Sequence, residues 1–149
     1  MFSDMNLTER AQTIFAADRY ATDTTGIEIM QVGNHEAQCA LEVDNRHCNA
    51  RGVAMGGALC TLADFSVAIA ANTDCLESGE LHWVSLDSSI SFLAPASKDS
   101  RLEAWCSALK VGRTTSLYQT MISNRGTGRL VAVATTTMVS LSSPRSCSR

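Results

Sequence analysis

The chain opens with Asn6-Leu7-Thr8-Glu9, a polar residue followed three positions later by an acid, ahead of Leu7, Ala11, Ile14 and Phe15 at helical spacing. This capping pattern predicts a short helix from Leu7 to about Ala17. Gly26 to Val32 predicts a strand. In the next segment Ala37, Cys39, Leu41 and Val43 alternate with Gln38, Ala40, Glu42 and Asp44, a period of two that predicts a strand with one buried face. Asn45 to Met55 predicts a loop. From Gly56 to about Thr73 the pattern loses its polar positions, and 18 residues rich in Ala and Leu predict a helix buried on nearly every side. Four strands follow, over Leu81–Leu93, Arg101–Leu109, Thr114–Ser123 and Arg129–Leu141. In the first of them Val84, Leu86, Ile90 and Phe92 are expected to share one face. Pro95, Val111-Gly112 and Arg125-Gly126-Thr127-Gly128 supply the breaks between strands. Helix, two strands, a long buried helix and four strands predict an α+β fold, with an antiparallel sheet curled round the helix.

Composition narrows this picture. A chain of 149 residues with 45% hydrophobic and 18% charged positions is one ordinary globular domain. The start, MFSDMNLTER, carries acids and no apolar run, and Asp64 and two glycines interrupt the longest apolar stretch, so neither a secretory signal nor a membrane span is expected. The six cysteines have no CxxC spacing and form no zinc-like cluster with histidine, which fits free thiols in a cytoplasmic protein. A net charge of -3 argues against nucleic acid as a partner. That charge is unevenly spread: residues 1–94 hold 4 basic and 13 acidic groups, residues 95–149 hold 8 and 2. The basic excess either marks where an anionic ligand lands or vanishes as the halves interleave.

One residue contradicts the apolar helix. Asp64 stands in its middle, where desolvating an unpaired carboxylate costs several kcal/mol. Either it lies on a narrow exposed stripe, or it lines a pocket as a base or nucleophile. Gly56-Gly57 sits at the expected helix start, where unpaired backbone N–H groups face outward and a ligand can approach closely. Such a place can stabilise an oxyanion. Eight residues of helix, about 12 Å, separate Gly56 from Asp64, so one chain cannot easily bring both to one carbonyl. Two copies packed antiparallel about a two-fold axis can, which predicts a dimer with shared sites.

These residues resemble a known pattern. His47-Cys48-Asn49, Gly52, Gly56-Gly57-Ala58 and Leu62-Ala63-Asp64 are similar to the segment shared by the PaaI-like branch of the hotdog-fold acyl-CoA thioesterases. The likeness continues through Val84-Ser85-Leu86-Asp87, Phe92-Leu93-Ala94-Pro95, Gly112-Arg113-Thr114 and Gly128-Arg129-Leu130-Val131-Ala132, and covers about residues 26–141. It implies a hotdog fold, with a curved antiparallel sheet round one long central helix, in a single domain over 1–141. Residues 1–25 would form its helix and lead-in, and 142–149 a polar tail. It implies a homodimer or homotetramer and hydrolysis of a small, medium-chain or aryl acyl-CoA. No metal or separate cofactor is implied, since coenzyme A enters as part of the substrate.

By this resemblance Asp64 activates water or attacks the thioester, the Gly56 amide polarises its carbonyl, and Asn49 positions thioester or water. Ser85, Met55, Gly57, Phe65 and Arg113 would contact substrate, with the Arg113 guanidinium directed to the phosphates of CoA. Met55 departs from the family, which commonly has His before the paired glycines. Methionine lacks a strong donor, so a protein that binds a thioester without cleaving it is the alternative reading. His47, in the same loop, is read as structural. A hotdog dehydratase is disfavoured, because Asp44 and His47 are only three residues apart and lie in a loop.

Overall fold

In a computed structural model, which describes residues 4–141, the chain forms two α-helices and one six-stranded antiparallel sheet. The polar tail expected over 142–149 lies outside the described residues. Helix α1 spans Leu7–Phe15, and its N-terminus is closed by the expected reciprocal cap: Glu9 N–H donates to Asn6 Oδ1 and Asn6 N–H to Glu9 Oε2, both at 2.9 Å. A π-helical turn, Tyr20–Thr25, leads into β1 (Glu28–Gly33) and β2 (Glu36–Glu42). The loop after β2 contains a short 3-10 turn, Asn45–His47. Helix α2 spans Gly56–Ala71, and β3 (Trp83–Phe92), β4 (Arg101–Lys110), β5 (Thr115–Asn124) and β6 (Leu130–Ser140) complete the chain.

The strands lie in the order β1-β2-β4-β5-β6-β3. The long helix carries the chain across the sheet, so β3 becomes an edge strand beside the last strand. One sheet face packs on α2 through alternate residues: Ala37, Cys39 and Leu41, then Leu102, Ala104 and Cys106, then Tyr118, Thr120 and Ile122, then Ala132, Ala134, Thr136 and Met138, all buried. Leu59, Leu62, Val67, Ile69 and Ala70 of α2 complete this core. The helix is less enclosed than its composition predicts, because Gly57, Cys60 and Asp64 form an exposed stripe.

Two departures from the sequence reading bear on function. Helix α2 ends at Ala71, two residues before the expected stop. There the buried Asn72 side chain donates to Ala68 O (2.9 Å) and Trp83 O (3.0 Å) and accepts from His82 N (3.1 Å) and Trp83 N (3.0 Å). That one amide ties the helix terminus to the start of β3. The second departure lies in β3 itself. Val84, Leu86, Ile90 and Phe92 do not share a face, because the register slips at Leu86: Ser85 pairs with Met138 and Asp87 with Thr137. The extra residue of this β-bulge reverses the alternation. Ser85, Ser88, Ile90 and Phe92 therefore stand opposite the inward-facing Met138, Thr136, Ala134 and Ala132.

Candidate active site

Asp64 stands on the exposed stripe of α2 and lines a cleft, so its two sequence readings describe one place. Its Oδ1 accepts a hydrogen bond from Ser85 Oγ at 3.0 Å. The bulge at Leu86 and the Asn72 joint set β3 at the height that makes this contact. Cys60, Thr61, Ala63, Ser88, Ile90 and Ala134 complete an open cleft of about 360 Å³ between α2 and β3. On the other flank, Asp64, Thr61 and Phe65 face Asp18 and Tyr20 across a second cleft of about 320 Å³. The ridge carrying Asp64 thus has open space on both sides.

Gly56 is elsewhere. It opens α2, where the first N–H groups have no acceptor within the helix, and Met55 at the cap position supplies no side-chain bond. A Cβ at Gly56 would sit 3.1 Å from the Phe92 ring, so glycine is what lets the helix start meet β3. Asp64 touches Ser85 near the beginning of β3 while Gly56 meets Phe92 at its end. One chain holds the acid and the amide apart, in keeping with the spacing along the helix. Gly57 is exposed, and a Cβ there would meet nothing. Beside this helix start Val53, Leu59, Leu93 and Pro95 line a shallow apolar cleft.

The remaining candidates divide sharply. Asn49 Oδ1 accepts from Arg51 N (2.9 Å) and Val53 N (3.4 Å), which closes the turn before α2; its side-chain nitrogen carries no partner among the described residues. His47 is buried. Its Nδ1 accepts from Asp44 N at 2.9 Å, which leaves Nε2–H to donate to Thr25 O at 2.6 Å. Both ring nitrogens hold backbone, as the structural reading requires. Beside it, hydrogen bonds from Arg46 hold the Asp44 carboxyl down to about 2. Met55 is 55% exposed, at the mouth of the helix start. Phe65 is 3% exposed and packs edge-on against Phe15, ring centroids 6.0 Å apart, so it is a core residue that contributes only to the wall of the second cleft. Arg113 is exposed in the β4–β5 turn and has no ion pair among the described residues.

The basic excess of the C-terminal half is partly absorbed by the fold. Arg101 binds Glu42 at 2.8 Å, and Arg125 binds Glu103 at 3.0 Å. Among the described residues no three His, Cys, Asp or Glu side chains converge as metal ligands, no helix is long and apolar enough to cross a membrane, and the five cysteines are free. Sequence reasoning missed Cys60, Ser88 and Asp18. Cys60 was readable four residues before Asp64 on the same helical stripe. Ser88 was hidden by the bulge, and Asp18 by the irregular segment after α1.

Known proteins resemble this chain in sequence and fold. Residues 51–137 match the model of the thioesterase superfamily. Acyl-coenzyme A thioesterase 13 of Mus musculus is 26% identical over 127 residues, covering 85% of this chain and 89% of its own. The PaaI protein of the E. coli phenylacetic acid degradation operon superimposes with a TM-score of 0.78 at 24% identity, over 91% of this chain and 96% of its own. A hypothetical thioesterase protein from Streptococcus pneumoniae TIGR4, solved with coenzyme A, gives 0.73 at 28% identity, over 85% and 95%. The helix-wrapping sheet and these likenesses agree: the chain belongs to the thioesterase superfamily, in its PaaI-like hotdog branch.

Proposed function

We propose that the protein hydrolyses acyl-CoA thioesters at sites built from two copies of the chain. The observation that carries this reading is the split of the site: an open acid, Asp64, bonded to Ser85 near one end of β3, and an unpaired helix-start amide, Gly56, against Phe92 at the other. A two-fold axis that sets these edges antiparallel brings the Asp64 of each copy to the Gly56 of the other. Edge strand β3 supports such packing, with Val84, Leu86, Phe92 and Leu93 exposed along it. An edge of this length and apolarity invites a second strand. On the outer sheet face Trp105 pairs with Met121, both exposed, a second contact surface that would extend the dimer to a tetramer.

In the assembled site Asp64 takes a proton from water. The water oxygen adds to the thioester carbon, and the Gly56 N–H holds the oxyanion that forms. The C–S bond then breaks, the carbonyl re-forms, and the departing thiolate recovers the proton. Ser85 donates to the carboxylate and fixes its direction. The free amide nitrogen of Asn49 is suited to the water or the thioester oxygen, and the unpaired Arg113 to the phosphates of CoA. Direct attack by the carboxylate through an anhydride is the competing route; many turnovers in oxygen-18 water distinguish them, since only an anhydride that water opens at the Asp64 carboxyl carbon puts label into Asp64.

The test is thiol release from short, medium-chain and aryl acyl-CoAs, wild type beside Asp64→Ala. Turnover by the wild type and its loss in the variant support the reading; inert wild type with an intact dimer counts for the second reading, a thioester-binding protein, which the exposed Met55 in the family's histidine position favours. A mixing experiment addresses the shared site. Gly56→Pro removes the N–H at a helix position that accepts proline, and Gly56→Ala, which keeps the N–H but places the same Cβ against Phe92, separates loss of the donor from crowding of that ring. Copies of the proline variant mixed with Asp64→Ala copies regain activity that neither has alone, because one site of each mixed dimer is complete. Absence of recovery in proven mixed dimers would place both groups in one chain.

A further inference from the structure

We propose that Ser88 presents a hydrogen-bond donor to the acyl group, so that the site prefers acyl chains bearing an acceptor oxygen several bonds from the thioester. This rests on Asp64 being the reacting group. Ser88 Oγ lies 2.9 Å from Thr136 Oγ1, and the two hydroxyls have no other partner among the described residues. Each carries one hydrogen, and a single bond between them uses one of the two. Thr136 is 2% exposed, whereas Ser88 lines the open cleft. If Ser88 donated, the Thr136 hydrogen would be buried without an acceptor, at a cost of about 1–3 kcal/mol. The arrangement that avoids this has Thr136 donating to Ser88, which leaves the Ser88 hydrogen directed into the cleft.

Its position gives the reach. Ser85, bonded to Asp64, pairs with Met138, and Ser88 pairs with Thr136, two residues along β6. Two residues of antiparallel strand span about 7 Å. The walls between are apolar, made by Ala63, Ile90 and Ala134. A chain that reacts beside Asp64 and lies along this wall brings a group four to six bonds away to the Ser88 hydroxyl. A plain alkyl chain in the same place would cover that donor and leave it unpaired.

The test compares hexanoyl-CoA with 5-oxohexanoyl-CoA, which differ by one acceptor oxygen. The wild type is expected to favour the oxo substrate in kcat/KM by about 3- to 10-fold, the worth of one neutral hydrogen bond. Ser88→Ala brings the ratio to near one, and Ser88→Thr, which keeps the hydroxyl, restores it. Equal rates for the two substrates in the wild type, or a preference that survives Ser88→Ala, overturns the proposal and leaves the hydroxyl pair to water. Calorimetric binding of both thioesters reads the same preference in a protein that cleaves neither. Lost turnover therefore counts against the thioesterase reading, and equal affinities count against Ser88.

Discussion

The middle of α2 and the region beyond its C-terminus carry opposite kinds of chemistry. Beyond its C-terminus stand the residue types most often associated with catalysis. His35 bridges the Tyr118 hydroxyl (3.1 Å) and the Asp74 carboxylate (3.3 Å), and Cys75 Sγ meets His82 Nδ1 at 3.3 Å. Yet Tyr118 is 1% exposed, Cys75 is buried, and burial pushes both acids above their ordinary values. Each group there is answered by a neighbour, and together they pin the β1–β2 hairpin and β5 to the turn after the helix. Midway along the helix an aspartate meets a serine of β3 at an open cleft. That carboxylate spends one oxygen on Ser85 and keeps the other for the cleft. Open hydrogen-bonding capacity beside open space marks a site better than reactive residue types do.

The largest effect expected from this contrast is that of Asp64→Ala. It should lower kcat/KM by roughly 100- to 10,000-fold, the range for a general base, while an exposed position leaves stability within about 0.5 kcal/mol. Thiol release and thermal unfolding on one preparation check both halves; a variant that unfolds instead would make Asp64 a structural residue. A matched pair sharpens the comparison, since one hydroxyl can be deleted in each region. Ser85→Ala frees the Asp64 carboxylate and should lower kcat/KM by about 2- to 10-fold with little change in melting temperature. Tyr118→Phe should do the reverse, costing about 1 kcal/mol of stability, or about 2–4 °C, with turnover kept. If Tyr118→Phe loses activity and Ser85→Ala loses stability, the roles of the two regions are exchanged.

Much of this was legible in the chain. The alternation at Ala37–Val43 gave β2, the apolar run after Gly56 gave α2, and Asn6 with Glu9 gave the cap, because each is a local pattern set by a local geometry. Asp64 stood out for the same reason, as a charge where the pattern has none. What the pattern could not carry was anything that joins distant segments. The bulge at Leu86 is decided by pairing with β6 and leaves no mark in the β3 sequence, yet it turns Ser88 toward Asp64's cleft. Nothing in the pattern at Asn72, near the expected helix end, showed its amide bound to Trp83, eleven positions on. Phe65 read as a pocket aromatic, and only the packing of α1 shows that Phe15 covers it. The charge imbalance pointed to an anion, and two of its arginines are bound to glutamates brought beside them by the sheet.

The smallest effect concerns a carboxylate that no pattern indicated. Asp18 faces Asp64 across the second cleft. Partial burial raises its carboxyl above the ordinary value, and the charge of Asp64 raises it further. A folded value above the unfolded one means that the protonated form contributes stability, present in acid and lost as pH rises through the folded value. Asp18→Asn should therefore be slightly more stable than wild type near neutrality, with the gain disappearing in acid, where Asp18 is already protonated. Asp64→Asn should move the Asp18 titration toward lower pH, because it removes the second of the two causes and leaves the first. Carboxyl carbon NMR across a pH series reads this directly, with Asp18 assigned through its own substitution. A titration that stays in place would mean that the two carboxylates do not sense each other, and the ridge that carries Asp64 would then have one working flank, the side of Ser85.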